Sequence, residues 1–316
     1  MSTTVDIERA AKLIREGRLV AFPTETVYGL GANALDAAAV ERIFTAKERP
    51  ATSPLIVHVD SVAMARGLVR VWPPEAEKLA ALFWPGPLTL ILEKQPQIPD
   101  RVTAGLPTVG LRMPAHRVAI ELIRAAGVPI AAPSANLFTQ LSPTTAEHVR
   151  AGLGDRVDMV LDGGETNVGI ESTVLSLARG RAVLLRPGMV SRAAIEAVIG
   201  PVETARETPA GAHASPGMHA RHYSPRTPLL LVSSEEALPD GRGVWVFHSR
   251  EMKAARQVAM PPYPHAYAAV LYRTLHELDG EGWEWIAVEE PPKDPEWAAV
   301  ADRLHRAAAA VPVEES

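Results

Sequence analysis

Hydroxyl, amide and cationic side chains gather at one kind of place in this sequence, the ends of short apolar runs. "RLVAF" is followed by Pro23, Thr24, Glu25 and Thr26, "TVGL" starts at Thr108 and runs into Arg112, and "AVLL" runs into Arg186. "VPIAAP" leads to Ser134 and Asn136, while Glu171, Ser172 and Thr173 precede "VLSL". Strand ends are where α/β proteins commonly bind ligands, and an arginine there offers a planar fork that fits a carboxylate or a phosphate. Ser142, in "QLSPTT", precedes a helical pattern, so it either caps that helix or faces an anion at its N-terminus. Lys47 and Arg49, in "KERP", follow a helix that Asp36 caps. They either balance the negative end of the helix dipole as an exposed pair or reach an anionic ligand. Pro50 and Pro54 stiffen the connection that follows, which favours the ligand. His58, on the alternating strand "LIVHV", reads by itself as a core histidine.

These groups need a scaffold, and the pattern supplies one. Strands are expected in "RLVAFPTE", "SPLIVHV", "PLTLILE", "TVGLRMP", "VPIAAPS", "DMVLDGG", "STVLSL" and "AVLLRPG", each brief, apolar and bounded by Gly, Pro or polar residues. Helices are expected over Ile7–Glu16, Ala37–Lys47, Pro74–Phe83, Arg117–Ala126, Thr144–Ala151 and Arg192–Ile199. Gly29 and Gly31 are expected to let the backbone turn. The result is an α/β domain over 1–204 with a twisted mixed sheet and flanking helices. Residues 205–227, with "SPGMHARHYSP", form a linker whose Met218, Arg221, His222 and Tyr223 suit docking as a lid. A smaller α/β, Rossmann-like domain over 228–316 has strands in "PLLLVSS", "GVWVFHS" and "WEWIAVEEPP" and helices over Ala266–Leu278 and Asp294–Ala308.

Composition narrows the function classes. Lys plus Arg total 32 against 37 Asp plus Glu in 316 residues, so the net charge of −5 argues against blanket attraction to nucleic acid or an anionic membrane. With no cysteine, thiolate catalysis and cysteine-ligated metal sites are excluded. No stretch approaches the roughly 18 apolar residues of a membrane span, and the N-terminus reads as an amphipathic helix, so a soluble cytoplasmic protein is expected. The sequence contains no GxxxxGK[ST] loop, complete GxGxxG fingerprint, HExxH or GxSxG motif.

In their order and approximate spacing, "PTETVYGLG", "KERP", "SPLIVHV", "WPGPLTLIL", "VGLRMP", "APSAN", "SPTTAEHV", "ESTV" and "LLRPG" resemble the YrdC-like threonylcarbamoyl-AMP synthases, and the linker and tail resemble their long two-domain form. The resemblance implies an ATP-dependent nucleotidyltransferase that joins L-threonine, bicarbonate and ATP into threonylcarbamoyl-adenylate and releases pyrophosphate. A partner transferase system then modifies tRNA, which the chain meets only indirectly. Carried over by motif, Thr26, His58, Arg112 and Ser172 surround threonine, with Arg112 on its carboxylate. Lys47, Arg49, Ser53, Thr108, Ser134, Asn136, Ser142 and Arg186 surround ATP, Tyr223 reaches over the site, and Lys47 and Arg49 assist the chemistry. Magnesium accompanies ATP without a dedicated protein metal site. The chain departs from the family pattern at Glu48 and Ser53, where glycine and asparagine are usual, and at Phe138 and Thr139, where "ANLFT" replaces "ANxSG". The competing reading, an RNA-binding or ribosome-associated module without catalysis, is opposed by the acidic balance and the lack of stacking aromatics beside the basic positions.

Overall fold

The computed structural model describes residues 3–50, 52–205, 222–233 and 236–308. The part of the expected lid that holds Met218 and Arg221 lies outside them. The strands of the first sheet are β1 (Val20–Phe22), β2 (Gly29–Asn33), β3 (Ile56–His58), β4 (Leu88–Glu93), β5 (Thr108–Arg112), β6 (Ile130–Ala131), β7 (Met159–Val160), β8 (Thr173–Ser176), β9 (Val183–Arg186) and β10 (Glu203–Thr204). They lie in the order β10-β9-β8-β4-β5-β3-β6-β2-β1-β7, with both parallel and antiparallel neighbours. A second, all-parallel sheet joins β11 (Leu229–Val232), β12 (Gly243–Phe247), β13 (Arg256–Ala259) and β14 (Trp285–Glu289) in the order β11-β14-β12-β13. The expected mixed sheet and smaller C-terminal α/β unit are therefore both present.

The helices are α1 (Thr4–Arg15), α2 (Ala37–Lys47), α3 (Val62–Gly67), α4 (Pro74–Phe83), α5 (Asp100–Thr103), α6 (Arg117–Ala126), α7 (Ala146–Leu153), α8 (Arg192–Ile199), α9 (Pro264–Asp279) and α10 (Ala298–Ala308). Helix α1 starts with a reciprocal cap between Thr3 and Asp6. Its buried Ile7, Ala10, Ala11 and Ile14 follow the i, i+3, i+4, i+7 spacing and pack with Val118, Leu122 and Ile123 of α6. Asp36 caps α2 as expected.

Two local expectations are corrected. Gly29 and Gly31 lie within β2, which pairs antiparallel with β1, rather than in a turn. A Cβ on Gly31 would fall 2.7 Å from the Phe22 ring and 2.8 Å from Ile130, so glycine is needed for close packing. Ser142 does not cap α7: Thr145 does, its side chain accepting the His148 amide, and Ser142 lies three residues earlier.

The two sheets are joined through α9 and α10. Val27, Leu141 and Ile170 share one apolar cluster with Tyr267, Leu271 and Leu304. A Cβ on Gly169 would lie 2.3 Å from the Ala268 carbonyl oxygen, so α9 passes directly over that loop. The His276 ring stacks on His148 at 3.9 Å, and its Nε2 donates to the Ser142 carbonyl at 3.1 Å. Arg273 pairs with Glu165 at 2.9 Å. No helix among the described residues is long and apolar enough to cross a membrane.

Candidate active site

A cleft enclosing about 550 Å³, its open mouth included, collects Thr26, His58, Arg112, Ser134, Ser172 and Arg186 from the first sheet's strand ends. Arg49 and Tyr223 complete its wall. The separation of these residues in sequence is removed by pairing: β3 lies parallel to β5, so His58 and Arg112 are register partners. Likewise β8 lies against β4 and β9, which brings Ser172 beside Arg186 and Thr89.

At one end sits Arg112, only 4% exposed. Its Nη1 donates to Thr26 Oγ1 at 2.9 Å and its Nε to the Gly86 carbonyl at 3.3 Å. Its Nη2 is 2.7 Å from Glu25 Oε1, a close ion pair whose hydrogen-bond alignment is poor. Burial, reinforced by the Arg112 charge, pushes His58 down to about 3, so its ring is neutral at physiological pH. The His58 ring meets Phe22 edge-on at 5.9 Å.

Arg49 and Arg186 form the other end. Burial pushes Arg49 down to about 10; the Tyr223 phenol opposes that shift, and the charge of Arg186 adds to it. Arg49 Nη2 donates to the Pro54 carbonyl at 3.2 Å and its guanidinium lies 5.8 Å from the Phe138 ring centre. Arg186 holds Ser172 through its carbonyl at 3.1 Å and its hydroxyl at 3.2 Å. Thr89 Oγ1 is 2.8 Å from the same hydroxyl. Two buried cations facing one cleft make a strong local field for an anion in a chain of acidic net charge.

Other expected site residues are placed differently. Lys47 is 1% exposed rather than a solvated cation, and its Nζ donates to the Ser134 carbonyl at 2.6 Å and to that of Asn136. Burial, with Arg49 nearby, drives its amine well below the usual lysine range. Lys47 thus braces the "APSAN" loop, and Asn136 ties that loop internally through the Leu137 and Gln140 carbonyls. Ser142 is buried, and its hydroxyl donates to Glu171. Ser53 is buried outside the cleft wall. Thr108 stands opposite Glu93 and lines a separate cavity with Pro54 and Thr103. Four residues of strand, about 13 Å, separate it from Arg112.

The departures at Glu48 and Thr139 share a backbone cause. Their φ angles are 53° and 68°, the left-handed region where glycine is unstrained. Glu48 ends α2 there and pairs with Arg156 at 2.6 Å, while the Thr139 carbonyl accepts the amide of Ser224 at 2.9 Å. Glu25 stands among the strand-end polar groups of the sequence without an assigned role, and the structure makes it the ion-pair partner of Arg112. Thr89 lies inside an apolar run and offered no signal.

Comparisons with known proteins place the chain in a family. A family model described as "Telomere recombination", covering the Sua5, YciO and YrdC proteins, matches residues 12–188, and "Threonylcarbamoyl-AMP synthase, C-terminal domain" matches residues 190–309. A threonylcarbamoyl-AMP synthase of Pyrococcus abyssi is 43% identical over 95% of this chain and 93% of that protein. One from Bacillus subtilis is 43% identical over 96% and 92%. The crystal structure of P. abyssi Sua5 complexed with L-threonine superposes with a TM-score of 0.90 at 40% identity, covering 98% of this chain and 95% of that one. By both domains, and over nearly its whole length, the chain belongs to the two-domain threonylcarbamoyl-AMP synthases of the Sua5/YrdC family.

Proposed function

We propose that the chain condenses L-threonine, bicarbonate and ATP into threonylcarbamoyl-adenylate, pyrophosphate and water, the water leaving as the threonine amine and bicarbonate form the carbamate, in the first step of tRNA threonylcarbamoyladenosine formation. The observation that carries this reading is one cleft with a carboxylate-sized fork at Arg112 and a separate cationic end at Arg49 and Arg186. In this reading Arg112 and Thr26 take the threonine carboxylate and hydroxyl, with His58 and Ser172 beside them. A carbamate oxygen attacks the α-phosphorus, the bond from that phosphorus to the bridging oxygen breaks, and pyrophosphate leaves with the electron pair. No side-chain nucleophile takes part. Arg49 and Arg186 neutralise charge on the phosphate oxygens, Lys47 and Asn136 hold the loop carrying Ser134, and Tyr223 covers the nucleotide; catalysis is positioning and electrostatic stabilisation. Ser53, Thr108 and Ser142 support ATP binding from outside the cleft wall.

Magnesium fits this scheme only as ATP's own counterion. Glu171 in the cleft wall is committed to Arg303, and Glu25 to Arg112, so these residues do not form a cage for the ion and no step is assigned to it. Residues 1–204 act as the catalytic unit, 205–227 as the closing linker and 228–316 as the supporting unit. The product passes in the cytoplasm to a tRNA-modifying transferase. The RNA-binding alternative is disfavoured because Lys47, Arg49, Arg112 and Arg186 are each at most 8% exposed, too enclosed to track a phosphate backbone. The test is pyrophosphate release with ATP, magnesium, bicarbonate and each amino acid in turn. A threonine-selective response is expected, and an indifferent or absent response refutes the reading.

A further inference from the structure

The least expected group near the cleft comes from the far end of the chain. Arg303, on α10, is 1% exposed, and its Nε donates to Glu171 Oε2 at 2.7 Å. Its Nη2 donates to the carbonyls of Glu171 at 3.3 Å and Pro187 at 3.2 Å, and its Nη1 to Asp302 at 2.6 Å. Glu171 also accepts from Ser142 Oγ and, at 3.1 Å, from the hydroxyl of Tyr272 on α9. Burial would raise the Glu171 carboxyl, but Arg303 and then Arg186 outweigh it and hold it below the usual carboxylate range.

The two carbonyls that Arg303 grips belong to the residue before Ser172 and the residue after Arg186. One guanidinium therefore fixes both loops that carry these cleft groups. It also lies 5.3 Å from the ring centre of Tyr223. The residues flanking Tyr223 are tied to the same helix: the His222 amide donates to the Arg306 carbonyl at 3.2 Å and Ser224 Oγ to that of Ala307 at 3.1 Å. A shared apolar cluster already docks the two units, and a buried ion pair adds little net stability over apolar packing. What it adds is a fixed geometry.

We propose that Arg303 is a positioning residue for adenylate formation, locking the Ser172 and Arg186 loops and seating Tyr223 over them, so that the C-terminal unit completes the active site. This rests on the synthase reading above. Of the groups beside threonine only Ser172 sits on a loop that Arg303 grips, while the main anchors, Thr26 and Arg112, sit on other segments; misplacing Arg186 on the phosphate side by about 1 Å, by contrast, can lower a rate 100-fold. Arg303→Lys keeps a charge for Glu171 but loses the fork to both carbonyls. In the full chain, kcat for pyrophosphate release should fall at least tenfold, with the threonine dissociation constant within threefold of the unaltered protein.

A smaller fall in kcat overturns the inference. So does a loss of threonine binding as large as the loss of kcat, the mark of general unfolding. Should Arg303→Lys fail to fold, Tyr272→Phe removes a single donor to Glu171; a threefold or larger fall in kcat then supports the inference and a smaller one overturns it. If the unaltered chain itself releases no pyrophosphate, the synthase reading falls, and this inference with it.

Discussion

Replacing Arg112 by lysine separates charge from geometry at the threonine end of the cleft. A guanidinium carries five N–H donors. In the structure one goes to the Gly86 carbonyl, one to Thr26 Oγ1, and one faces Glu25. That leaves one N–H on each terminal nitrogen, a coplanar pair that matches a carboxylate. A lysine ammonium has three donors on one atom; serving Thr26 and Glu25 leaves it one, without the fork. The loss is about one charge-assisted hydrogen bond, roughly 1.5–3 kcal/mol, or about 10- to 150-fold in affinity. Calorimetric titration with threonine in the absence of ATP reads this directly, with thermal melting of the same sample to establish folding. ATP affinity should stay within about threefold, because Arg49 and Arg186 hold the other end of the cleft. A folded Arg112→Lys protein with unchanged threonine affinity would refute the assignment of the fork.

Two further outcomes follow from the cleft and the interface. The Tyr223 hydroxyl is buried in the cleft wall with no hydrogen-bond partner among the described residues, so Tyr223→Phe should leave the melting temperature essentially unchanged while weakening ATP binding about 2- to 10-fold; equal ATP affinity in a titration would show the hydroxyl idle. At the interface, burial and then the neighbouring His148 push His276 down to about 4, against 6.5 unfolded. The stability held by neutral His276 is complete above pH 6.5 and is lost as pH falls toward 4, because the unfolded chain takes up the proton first. Between pH 7 and 5 this amounts to about 2 kcal/mol. His276→Gln can still donate to the Ser142 carbonyl and does not titrate, so its melting temperature should fall less over that interval; identical pH profiles would exclude His276 as a source of acid sensitivity.

Much of the scaffold was written locally. Ala37–Lys47, Pro74–Phe83, Arg117–Ala126 and Arg192–Ile199 are helices with the expected bounds, because a cap or an N-terminal proline starts each one and apolar spacing sustains it. The cleft residues were legible as polar groups ending apolar strands, a pattern that survives without knowing which strands pair. Which of those groups meet was decided by strand order: β3, β5, β4, β8 and β9 put His58, Arg112, Ser172 and Arg186 together, and place Thr108 at the opposite end of β5 from Arg112. The burial of Lys47 and the close packing that requires glycine at position 31 were likewise tertiary, since each involves a segment about 90 or more residues away, the Ser134 carbonyl for one and Ile130 for the other. Arg303 is the extreme case. In sequence it is one more cation on an amphipathic helix, and only the docking of α10 removes it from water and gives it Glu171, 132 residues away, as its partner.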